Sequence, residues 1–137
     1  MTKQTTTTPS IFDMTVDGIR RRHQNAIDAF NDDVARNGIC HAIGWASVPA
    51  MVGEMVIDHL DRFQKAADEY GVDKAIEMAA DVRDDVQRRI GYFDPTNHST
   101  SAAQTLASAA EFQGFRAVVD LIDELAEARA YEIANAE

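Results

Sequence analysis

Apolar residues recur every three or four positions along most of the chain, and no stretch of any length alternates apolar with polar. A period near 3.6 residues marks α-helices, whereas strands repeat every two. The sequence therefore predicts an all-α fold. With 137 residues, 45% of them hydrophobic, the chain is long enough to enclose a core in one domain. Glycine, proline and capping residues divide the pattern into four main helices. The expected architecture is a helical bundle over residues 10–137, behind a flexible polar tail at residues 1–9.

The first helix is expected to start at Ser10, which with Asp13 makes a capping pattern; Thr15 is a second candidate cap. It should run to Asn37 and stop at Gly38. Val16, Ile19, Ile27, Phe30 and Val34 share its apolar stripe. A second helix is predicted from about residue 49 to 70, with Val52, Val56, Leu60 and Phe63 inward. A third follows Gly71, from about residue 73 to 90, with Ala75, Ile76, Ala79, Val82 and Val86 inward. So tight a junction implies an antiparallel pair. After a loop at residues 92–100, the last helix should span about 101–135. Leu106 and Ala110 mark one face of it. Phe115, Val119 and Ile122 mark another, about 130° around the axis. Either the helix kinks at Gly114 or it stays straight and buries both faces. Phe115, Val119 and Ile122 would then form a core seam or the seam of a homodimer.

Between the first two helices lies Gly38 to Ala50, which contains the sole cysteine and sole tryptophan and has no formal charge with His41 neutral. It reads as a short apolar connector, helix or loop, around residues 38–48. An uncharged connector is expected to be buried, with Cys40, His41 and Trp45 packed among the helices.

Charge excludes several function classes. Thirteen Lys and Arg against 23 Asp and Glu give a net charge of −10. Binding to phosphate backbones or anionic membranes needs the opposite sign. A lone cysteine excludes an intramolecular disulfide and suits a reducing compartment. The N-terminal segment lacks the apolar run of a signal peptide, and no segment is read as a membrane span, so the expected location is cytoplasmic.

Asp58-x-x-Asp61 and Asp81-x-x-Asp84 resemble the ExxE and ExxD motifs of MazG-type all-α nucleotide pyrophosphohydrolases, with Asp where that family mostly has Glu. The resemblance implies a Mg²⁺-dependent phosphohydrolase. Helical phase points the other way, because both pairs lie roughly 150–200° from the apolar stripes of their helices. His41-Ala42-Ile43-Gly44 resembles the His-x-Leu-Lys-Gly motif of histidine phosphotransfer bundles, with Gly44 in the lysine position. The resemblance implies phosphotransfer through His41. His23 and His59 fall on or beside apolar stripes and are expected to be core histidines rather than metal ligands. No cofactor or metal is expected.

The most acidic segment is the end of the last helix. Asp120, Asp123, Glu124 and Glu127 recur there at helical spacing, with carboxylates about 5–6 Å apart. The expected function is that of a non-catalytic interaction protein. Its partner would be a protein with a basic, nucleic-acid-binding surface, which the stripe occupies as an acidic decoy. Small phage-encoded inhibitors, including anti-CRISPR proteins, are similar in size and charge.

Overall fold

A computed structural model describes residues 10–91 and 102–136. The tail expected at residues 1–9 and the loop expected at 92–100 lie outside the described residues. Four helices account for the fold: α1 (Ile11–Asn37), α2 (Ile39–Tyr70), α3 (Val72–Gly91) and α4 (Ala102–Ala134).

Ser10 caps α1 as its sequence position predicts, its hydroxyl oxygen accepting from the Asp13 N–H at 3.0 Å. Gly38 and Gly71 hold φ of 88° and 91°, a region costly for any residue with a Cβ. Each reverses the chain in a single residue, so α1–α2 and α2–α3 are tight hairpins. At the Gly71 end of the bundle, the Phe12 N–H donates to Glu132 at 3.1 Å, tying the start of α1 to the end of α4. Arg129 of α4 pairs with Asp73 at the start of α3 at 2.9 Å. The helices therefore alternate up and down. α2 and α4 pack on each other and on both flanking helices, whereas α1 and α3 do not touch among the described residues.

The connector is a correction. No loop separates α1 from α2 beyond Gly38, and α2 begins at Ile39 and runs straight through Gly44 and Pro49. Proline lacks the N–H that would bond the Trp45 carbonyl. That carbonyl belongs to an exposed turn, where water can supply the donor. Ser47 also turns its hydroxyl back to the Ile43 carbonyl.

Small residues let α1 lie close to this half of α2. Ala42, Ala50 and Gly53 are buried, and a Cβ on Gly53 would come within 2.7 Å of the His23 carbonyl oxygen. Gly114 of α4 faces Met55 instead, where an added Cβ would meet the thioether sulfur at 2.6 Å. α4 runs unbroken through Gly114. These contacts make a paired prediction. Gly53→Ala should destabilise by about 1–3 kcal/mol, because a backbone carbonyl must move. Gly114→Ala should cost far less, since a flexible side chain can swing away and alanine favours the helix by about 1 kcal/mol. Urea unfolding of both variants checks this; equal losses would contradict the close α1–α2 seam.

The main core joins Phe12, Val16 and Ile19 of α1 to Val56, Leu60 and Phe63 of α2. Ala75 and Val86 of α3 and Val118, Val119, Leu121, Ile122 and Leu125 of α4 complete it. Phe115 packs against this cluster. Val119 and Ile122 are thus buried within the chain, with Phe115 half-buried beside them. By length and composition α2 would be apolar enough to cross a membrane, yet its inner face is a shared core face.

Candidate functional site

At the Gly38 hairpin the structure reverses a second expectation. Trp45 is 78% exposed, and Cys40 and His41 are exposed too. The cause is the close α1–α2 seam, which admits alanine and glycine but not an indole. Length contributes: α3 has 20 residues against 32 in α2, so it leaves much of the N-terminal half of α2 without an α3 neighbour. Ile39 and Ile43 are exposed on this same half. Of the most apolar 18-residue window of α2, only 28% is buried.

Trp45 is exposed but not loose. His41 lies one turn before it, and the two rings stack with centroids 6.0 Å apart and planes 26° from parallel. The His41 Nδ1 lies 3.0 Å from both Asp33 carboxylate oxygens, across the hairpin. Facing a carboxylate, Nδ1 is the donor of this pair. Asn37 donates to the same carboxylate at 2.6 Å. The Asn37 bond, with His41 adding to it, holds the Asp33 carboxyl below its usual range. The result is a braced chain from Asn37 through Asp33 and His41 to Trp45. Its sequence signal is the i,i+4 spacing of His41 and Trp45, with Asp33 and His41 placed on either side of Gly38. Reading this stretch as a buried connector concealed it.

The acidic stripe of α4 divides in two. Asp120 and Glu127 are exposed. Asp123 is half-buried and takes a bidentate bond from Arg83 of α3, at 2.7 and 3.1 Å. Glu124 meets Arg22 of α1 at 3.3 Å. Those two carboxylates staple α4 to its neighbours, so the stripe is less free than its spacing implies.

The other constellations do not converge. Asp58 pairs with Arg62 at 2.9 Å and Asp61 with Arg20 at 2.7 Å, both outward, and Asp81 and Asp84 are exposed. No group of three or more His, Cys, Asp and Glu among the described residues is placed to hold a metal. His23 and His59 are half-buried. Burial, seconded by Arg22 and Arg62 respectively, lowers both imidazole pKa values below the usual one. Because the folded value is the lower, the unfolded chain binds more protons as pH falls through about 6.5. Stability is therefore full above that pH and declines below it. Melting temperature should fall between pH 7.5 and 5.5, and fall less in a His23→Gln, His59→Gln double variant. An equal fall in both proteins would assign the effect elsewhere.

The chain matches no protein-family model, and no curated protein or solved structure matches it.

Proposed function

We propose that this chain is a non-catalytic interaction protein of the cytoplasm that docks on a protein partner through Trp45. One observation carries the reading: a large aromatic side chain stands exposed on an uncharged helical segment, stacked on the His41 ring, which in turn is bonded to Asp33. Tryptophan is the residue type most enriched among interface hot spots. An anchor fixed before contact loses little conformational freedom on binding. Asp28 and Asp33 lie toward the neighbouring end of α1, beside an Asp32–Arg36 pair. With a net charge of −10, they favour a partner whose pocket for the indole has a basic rim. Titration of wild-type and Trp45→Ala protein against the partner recovered from host lysate tests this. The variant should bind far more weakly; unchanged affinity would remove the anchor.

A second reading keeps the decoy expected from the sequence, with Asp120 and Glu127 as the free acidic pair one heptad apart. Asp120→Asn with Glu127→Gln should then weaken binding and flatten its salt dependence, while folding changes by less than about 1 kcal/mol. Equal affinities at low and high salt would leave the stripe as a solvated face.

A further inference from the structure

Roughly 20 Å along α2 from Trp45, a hollow opens between α2, α3 and α4. Its volume is about 150 Å³. Ala66, Ala75 and Ala79 face it, and their small size leaves the space unfilled. Phe63, Ile122 and Leu125 form its apolar wall. At the rim, Met78 and Val82 stand 40% and 39% exposed, so apolar side chains remain in water where a ligand would cover them. Among the described residues only two lining side chains are charged or strongly polar, His59 and Arg62. Arg62 pairs with Asp58 at 2.9 Å. His59 is half-buried, and its burial favours the neutral imidazole, which both donates and accepts.

We propose that this hollow binds a small molecule made of a single aromatic ring bearing one hydroxyl group. The ring lies against Phe63, Ile122 and Leu125, and the hydroxyl meets the His59 imidazole. Size selects the ring: an apolar cavity of about 150 Å³ holds a benzene-sized molecule. Charge selects the hydroxyl. A carboxylate would meet no free cation among the described residues, because Arg62 is paired with Asp58 and, in the hollow that adjoins at His59, Arg89 is paired with Asp85 while Asp81 stands beside it. A cation would find no carboxylate lining the site among the described residues. The site is remote from Trp45 and does not depend on the docking reading.

Titration of the ¹⁵N-labelled full chain with phenol, and in parallel with toluene, tests the proposal. Phenol should give saturable amide shifts centred on Ala66, Ala79 and Leu125. It should bind about three- to tenfold tighter than toluene, the worth of one hydrogen bond. Ala79→Leu fills the hollow and should weaken phenol by at least about tenfold. His59→Phe keeps the hollow and should abolish the advantage of phenol over toluene. That second variant decides the matter if Ala79→Leu fails to fold. Shifts that do not saturate or scatter over the surface would overturn the site. So would phenol binding undiminished in Ala79→Leu. A phenol advantage surviving in His59→Phe would overturn the role of His59.

Discussion

Leu60→Ala is expected to destabilise the protein by about 2–5 kcal/mol. Leu60 has 0% of its surface exposed and sits midway along α2. α2 is one of the two helices that touch all three others, so its centre is packed from several sides. Truncation removes transferred apolar surface and leaves a void that the close-packed neighbours fill only in part. In a domain of this size such a loss lowers the melting temperature by roughly 10 °C. Urea unfolding gives the free energy directly, and the slope should stay unchanged if the native state keeps its compactness. A loss under about 1 kcal/mol would mean that the centre of α2 is not the core. Leu125→Ala, on the facing helix, should behave alike, since Leu125 is 1% exposed.

Most of this core was legible in the sequence. Val16, Ile19, Val56, Leu60, Phe63, Ala75, Val86, Val119 and Ile122 all fall on the apolar stripes of their helices, and all are buried. Ser10, Gly38 and Gly71 also mark their boundaries, because capping and positive φ are local properties. What was not legible depends on neighbours. Val82 keeps the period of its stripe yet stands 39% exposed, since α3 borders a hollow there. Asp123 and Glu124 look like solvated charge until Arg83 and Arg22 arrive from other helices. The segment around Trp45 was misread for a related reason. Absence of charge signals burial only if some element covers the segment. Here α1 approaches the small-residue side, and the indole is left outside.

Trp45→Ala is expected to separate binding from stability. Its exposure predicts a change of less than about 0.5 kcal/mol in unfolding free energy, the range of ordinary surface substitutions. Emission of the free protein should be red-shifted and readily quenched by iodide, because the indole is in water. Binding should respond in the opposite way. A tryptophan that enters a partner's pocket is worth about 2 kcal/mol or more, roughly a thirtyfold loss of affinity on truncation. His41→Ala tests the brace. It leaves the indole in place but removes the stacked ring and the link to Asp33. Affinity should then fall by less than in Trp45→Ala, by about 0.5–1.5 kcal/mol, as a freed side chain must be ordered on contact. Partner binding should also shift the emission to the blue and protect it from iodide. If Trp45→Ala binds as tightly as wild type, or the bound indole stays quenchable, Trp45 is not the anchor. The exposed α2 segment would then owe its apolar character to another contact.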